Sequence, residues 1–452
     1  MISLVGCSGG IASWIHDDVD QEFTKKAFSK TALQEDLDYL QKQMPSIHPV
    51  FDKKTDEHEI TSKFQNLHSQ IKDGMSRNDF FRVIGKINPY FRDGHSFIFP
   101  LLAEGTYAQE NGEHLFDLGV SVKGESLFFN KTYKHKTNGE TIKNGTKILS
   151  INNTEVETIL QKLSEYGHGE TANLRKHMST LLFQYWLNAI YGWKGKFSLS
   201  LEYDGKQTFL EISNPNNWES AQDKLGDYWL EILPNQVAYL KLGTFDVDED
   251  NGYEAFIEES FAKIQKQYLS KLIIDVRGNT GGQTDAGAQV IKYLTDKTLN
   301  QASSAIEKLN EDNNGLLGYK GEPGEIVQLD VISDELIEPV EASNRYKGET
   351  IVLMDEMVYS AGIVFLTTIQ DHKLATLVGQ STGGHANQTG NMSPFYLPNT
   401  KLLVLAPSLY ITRPSGDTSE QVVIPDVIVN NDKDAMKDRT LEASLELFSI
   451  NN

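Results

Sequence analysis

Apolar residues recur at helical spacing through the first hundred positions. In "TALQEDLDYLQKQMPSIHP" they fall at Leu33, Leu37, Leu40, Met44 and Ile47, the three-to-four step of a helix with one buried face. "EITSKFQNLHSQI" and "RNDFFRVIGKINPYF" repeat the pattern, and prolines 45, 49 and 89 punctuate it. A helical region is therefore expected over residues 20–100, ending in the loop "RDGHSFIF". The texture then changes. "HLFDLGVSVKGESLFFNKTY" alternates strand-like runs with glycines, and "IKNGTKILSINNTEVETILQKL" reads as turn, strand, turn and helix. Residues 171–230 carry helical and strand-like pieces without clear punctuation. From 236 the alternation sharpens: "QVAYLKLGTF", "SKLIIDVRG", "ETIVLMDEM" and "LATLVG" read as strands. Between them "YEAFIEESFAKIQKQY", "DAGAQVIKYL" and "SAGIVFLTTIQDH" read as helices. Alternating strands and helices predict an α/β layer with parallel neighbours.

Composition narrows the function classes. The 452 residues hold 42 Lys+Arg against 63 Asp+Glu, a net charge of −21. Such a surface is repelled by phosphate backbones, so nucleic acid is not an expected partner. The single cysteine, Cys7, excludes a disulfide framework and a multi-cysteine metal site. Its context "LVGCSGG" resembles a bacterial lipobox preceded by too little sequence for a full signal. Residues 1–19 are therefore read as a truncated lipoprotein signal and tether. The expectation is an extracytoplasmic protein, lipid-anchored at the cell envelope through Cys7.

Familiar cofactor motifs fail. "DVDEDNG" at 246–252 lacks the glycine and glutamate of a calcium loop, and reads as an acidic turn before the next helix. "GHGETA" at 167–172 imitates a dinucleotide fingerprint, but no strand leads into it. No metal or nucleotide motif remains, and no cofactor is expected.

Three glycine-marked segments carry the chemistry. In "LIIDVRGNTGGQTDAG" a strand ends in Asp275, Arg277 and Asn279, and Gly281 and Gly282 then allow a tight turn with exposed amides. An Asp275–Arg277 ion pair would fix that turn. In "MVYSAGIVF", Ser360 opens an apolar helix. It is either an N-cap or a nucleophile whose developing oxyanion meets free N–H groups, that of Ala361 among them. In "RDGHSF", His95 sits on a glycine turn, and a histidine accepts a serine proton well near neutral pH.

In order and spacing, "VAYLKLGTF…LIIDVRGNTGG…YSAGIVFLTTIQDHKLATLVGQSTGG…EQVVIPDV" resembles the C-terminal processing (tail-specific) serine peptidases, over residues 85–450. The resemblance implies a ClpP/crotonase-like layered core over 171–452, preceded by the helical region and a PDZ-like β-rich insertion at 112–170. Its "FDLGVSV" is the candidate carboxylate-binding loop. It also implies Ser360 as nucleophile and Gly281 or Gly282 with Ala361 as the oxyanion hole. The processing branch keeps a lysine base where this chain has His385, in "STGGHAN", and Lys373 is displaced from that position. "DGHS" instead resembles the tricorn-like branch, in which a histidine activates the serine; this implies His95 as base and Glu420, in "SEQVVIPD", as its orienting acid. That branch has a serine before its histidine. Here the residue is Gly94, so Glu420 would reach the histidine through another hydroxyl, Ser96 for instance, or water. His385 is the rival base.

The expected activity is cleavage of polypeptides at or near their C-terminal ends through an acyl-enzyme. A catalytically silent peptide- or hydrophobic-ligand-binding protein on the same scaffold is the alternative. An acyl-CoA-handling crotonase-type enzyme is a third reading, suggested by the layered fold alone.

Overall fold

The computed structural model describes residues 19–220, 227–247, 252–315, 319–330, 336–430 and 437–450. Cys7 and its surroundings lie outside them, as does most of the acidic turn at 248–251. No described helix is long and apolar enough to cross a membrane.

The four strands expected after residue 236 assemble in one sheet that two unanticipated strands extend at its edges, in the order Tyr228–Ile232, Val237–Leu242, Lys271–Asp275, Glu349–Met354, Thr376–Gly379 and Val427–Ile428. The first pair is antiparallel and the others parallel. Helices Tyr253–Lys266, Thr284–Ile291 and Ala361–Asp371 pack on one face around Leu240, Ile274 and Val352. Helix Arg439–Ile450 covers the other, where Phe448 meets Ile273 and Leu353. Burial on both faces explains why "LIID" and "IVLM" are unbroken apolar runs rather than alternating ones.

A second sheet stands against this layer, ordered Ile326–Leu329, Ser304–Lys308, Leu403–Thr412 and Gln388–Tyr396. The short strand Phe97–Ile98 adds to it at Leu405 and Val404. That pairing carries the 92–96 loop from the N-terminal region to the core.

The N-terminal region holds helices Lys30–Ile47, Glu57–Gln70 and Arg77–Ile84, with Pro45 accommodated in the last turn of the first. Its core is continuous with that of the β-rich unit: Leu37, Phe81, Leu127, Ile159, Phe197 and Trp186 belong to one apolar cluster. The sheet of this unit extends beyond residue 170. Strands Phe197–Tyr203 and Lys206–Ile212 form a hairpin that pairs with Lys147–Ile151. The turn is Asp204-Gly205, both at positive φ, a strong short hairpin signal between two alternating runs.

The N-terminal helices also grip the tip of the hairpin that joins Gln388–Tyr396 to Leu403–Thr412. Buried Asp36 accepts from the backbone N–H of Asn399 (2.7 Å) and Thr400 (2.8 Å). Buried Arg77 donates to the carbonyls of Thr400 (2.8 Å) and Lys401 (3.1 Å) and pairs with Glu104 at 2.9 Å. Truncating one partner of such a pair leaves buried charge uncompensated, which costs about 3–5 kcal/mol. Arg77→Ala is therefore expected to lower unfolding stability by about that amount, measured by urea denaturation; a loss under about 1 kcal/mol would show that the hairpin tip does not depend on it.

Candidate active site

Strand Glu349–Met354 runs out into "DEMVYS", and the chain turns sharply at Ser360 into helix Ala361–Asp371. Ser360 has φ 51° and ψ −125°, and although it occupies the N-cap position its side chain makes no capping hydrogen bond. Strained backbone at a residue other than glycine is held only where the surroundings impose it. Here the Ser360 N–H donates to Gln388 Oε1 at 3.1 Å, and the preceding Tyr359 N–H donates to the Asn279 carbonyl at 3.0 Å. Capping does not account for this serine.

The "NTGG" turn lies directly against it. A Cβ built on Gly281 would fall 2.7 Å from the Ser360 Cβ and 3.1 Å from the Ala361 nitrogen. The Gly281 N–H is engaged by Asn279 Oδ1 at 2.9 Å. Those of Gly282 and Ala361 have no acceptor among the described residues. Both glycines were candidate donors, and it is Gly282 that lines a small hollow with Ser360, Ala361, Gln388 and Thr389. The expected ion pair fixes the base of the turn: Arg277 donates to Asp275 Oδ2 at 2.7 Å and to Asp438 at 2.7 Å, and the Tyr239 hydroxyl also donates to Asp275.

His95 is brought in by the strand pairing of Phe97–Ile98. Its ring lies 4.9 Å, centroid to centroid, from that of Tyr359, the residue before the serine. Its Nδ1 is 3.0 Å from the Thr389 hydroxyl, while its Nε2 is buried with no hydrogen-bond partner among the described residues. Burial pushes the imidazole down to about 4; the Asp93 carboxylate opposes the shift, and Lys54 and His48 add to it. A neutral ring with one occupied and one vacant nitrogen has the form of a general base. Ser96 is buried, and its hydroxyl has no partner among the described residues.

Glu420 is placed elsewhere. Its Oε2 accepts from His385 Nδ1 at 2.9 Å and meets Lys54 Nζ at 2.7 Å; its Oε1 meets Lys53 Nζ and the Tyr410 hydroxyl, each at 2.7 Å. Burial alone would raise this carboxyl, but His385 and the two lysines hold it well below the usual range. The structure thus pairs Glu420 with His385, while His95 turns its Nδ1 to Thr389.

"GHGETA" gave no sign of a role, yet it clamps the site. His168 is 2.6 Å through Nδ1 from the Gly94 carbonyl, with its ring stacked 3.6 Å from that of Phe97. Glu170 accepts from the Tyr359 hydroxyl at 3.2 Å, and Thr171 donates to the Gly383 carbonyl at 2.7 Å. Gly94 is required by the same packing, since a Cβ there would lie 2.4 Å from the Tyr359 hydroxyl. That hydroxyl fills the place a serine side chain would take. Sequence carries no local signal for these contacts, because their partners lie far along the chain.

Residues 236–429 match the model of peptidase family S41. The tail-specific protease of Haemophilus influenzae is 24% identical over 155 residues, 34% of this chain and 18% of that protein. The carboxy-terminal-processing protease of Bartonella bacilliformis is 28% identical over 199 residues, 44% of this chain and 39% of that one. These matches span well under half the length of either relative. Among solved structures, mature CPAF superposes with a TM-score of 0.61 at 16% identity, covering 88% of this chain and 92% of its own. A putative peptidase of Parabacteroides merdae gives 0.51 at 16% identity, covering 92% and 96%. Both share the mixed helix-and-sheet fold.

His168 is pushed down to about 4 as well, chiefly by burial, with the Gly94 carbonyl opposing. Both rings have an ordinary value of 6.5, so between that pH and about 4 the unfolded chain binds protons the folded one refuses. Each depressed value therefore makes stability full above the ordinary pKa and falling as pH drops toward the folded one, by roughly 3 kcal/mol apiece. Urea midpoints are expected to fall between pH 7 and pH 4, with a shallower fall in His168→Asn, which keeps a donor but does not titrate. Equal slopes in the two proteins would contradict this reading.

Proposed function

We propose that the protein is a serine peptidase that cleaves polypeptides, at or near their C-terminal ends, through an acyl-enzyme. The observation that carries this is Ser360: it holds a strained φ of 51° with no capping role, in front of the amides of Gly282 and Ala361, which have no acceptor among the described residues. His95 is joined to the same site by its ring contact with Tyr359 and by its Nδ1 contact to Thr389, which lines the hollow beside Ser360. The family match over residues 236–429 and the protease relatives support the class of reaction.

In this reading the Ser360 hydroxyl attacks the scissile carbonyl and its proton passes to His95 Nε2. The carbonyl electrons collect on an oxyanion facing the Gly282 and Ala361 N–H groups. Collapse breaks the C–N bond, and His95 returns the proton to the departing amine. Water then repeats the sequence on the ester and frees Ser360. The parallel sheet with its flanking helices supplies a ClpP/crotonase-like core. The β-rich unit, whose sheet has Val120–Lys123 at one edge and Lys206–Ile212 at the other, acts as a PDZ-like module that presents an extended chain by strand addition. An extracytoplasmic setting with lipid attachment at Cys7 is part of the same proposal.

His385 supports a second reading of the base, because it already has a carboxylate on its Nδ1. Labelling of the intact protein by a fluorophosphonate separates the two. Labelling is expected to vanish in Ser360→Ala, to slow about a hundredfold or more in His95→Ala, and to persist in His385→Ala. Dependence on His385 alone moves the base to that loop. A folded wild-type protein that takes no label favours the silent binding protein.

A further inference from the structure

We propose that Asp93, acting through the hydroxyl of Thr389, is the acid that positions His95, and that Glu420 is not. This rests on the assignment of Ser360 and His95 given above.

Thr389 has a single hydroxyl hydrogen, and its Oγ1 lies 2.8 Å from Asp93 Oδ2 and 3.0 Å from His95 Nδ1. Burial would raise the Asp93 carboxyl, but the facing His48 ring and Lys54 hold it well below the usual range, and both of its oxygens face donors, so it is ionised and can only accept. The Thr389 hydrogen must therefore point to Asp93. Thr389 Oγ1 then has only lone pairs left for His95, and Nδ1 must carry the imidazole proton. This fixes the tautomer that leaves Nε2 as a lone pair, the form a general base requires.

The remaining contacts hold the relay in place. Asp93 Oδ1 accepts the His95 backbone N–H at 2.7 Å, so one carboxylate fixes both the main chain and, through Thr389, the ring. His48 Nδ1 accepts the Val50 N–H at 3.2 Å, which leaves its Nε2 to carry a proton toward Asp93 Oδ2, 3.5 Å away. The Tyr359 hydroxyl is 3.5 Å from His95 Nδ1 and already donates to Glu170, so it does not compete. Glu420 has no capacity to spare, since each of its oxygens already meets two donors. Thr389 also lines the hollow beside Ser360, which puts the middle of the relay next to the reacting atoms.

The test uses the full chain with Thr389→Val, which removes the hydroxyl but keeps the shape, Thr389→Ser, which restores it, and Glu420→Gln. Two readouts are taken: the rate of fluorophosphonate labelling across pH, and the imidazole nitrogen shifts of His95, assigned by their loss in His95→Ala. Thr389→Val is expected to slow labelling about a hundredfold and to shift His95 away from the Nδ1–H form. Thr389→Ser is expected to stay within about threefold of wild type, with the His95 tautomer unchanged in Glu420→Gln. A Thr389→Val protein with wild-type labelling and an unshifted tautomer overturns the proposal, as does a tautomer that responds to Glu420→Gln and not to Thr389→Val. If His95→Ala labels normally, the assignment of the base fails. The nitrogen shifts still report whether Thr389 holds the ring, because they need no turnover.

Discussion

The ring of Tyr359 stands between the serine turn and the histidine loop, and most of the site is arranged around it. It is fully buried. Its hydroxyl accepts the Gly94 N–H at 2.9 Å and donates to Glu170, and its ring lies against His95. Its backbone N–H is tied to the Asn279 carbonyl, so the serine turn, the glycine turn and the histidine loop are joined through one residue. Because a protein interior is close-packed, a ring wedged in this way transmits position rather than flexing. The strained backbone of Ser360 is the local cost of that arrangement.

Charge is organised with equal economy. Two carboxylates, the buried Asp93 and the half-buried Glu420, are held ionised by cations and histidines, whereas burial pushes a third, Glu170, up to about 7 even though Lys54 and His385 oppose the rise. Lys54 is itself buried, and although burial alone would lower its pKa, Glu170, Asp93 and Glu420 more than offset this and keep it charged. The two acid–histidine pairings, Asp93–Thr389–His95 and Glu420–His385, therefore share one cation while each serves its own ring.

Much of this was legible in the chain. The parallel strands announced themselves through unbroken apolar runs, because burial on both faces removes any need for alternation. Ser360, His95 and the "NTGG" turn were legible because glycines are needed where backbones approach one another. The Phe197–Ile212 hairpin was harder to place than its Asp204-Gly205 turn warranted, and it joins the β-rich unit rather than the core. The roles of Thr389, Asp93, His168 and Glu170 were not legible. Each depends on polar contacts to residues many positions away, such as the 296-residue separation of Thr389 and Asp93, and no periodicity or composition marks such a contact.

The most direct measurement is a crystal structure of the protein with a peptide boronic acid. The expected structure has a bond from Ser360 Oγ to boron, one boron-bound oxygen within about 3 Å of both the Gly282 and Ala361 nitrogens, and another facing His95 Nε2. A boronate attached to a different side chain, or one whose oxygens face His385 and leave both amides unoccupied, would contradict it.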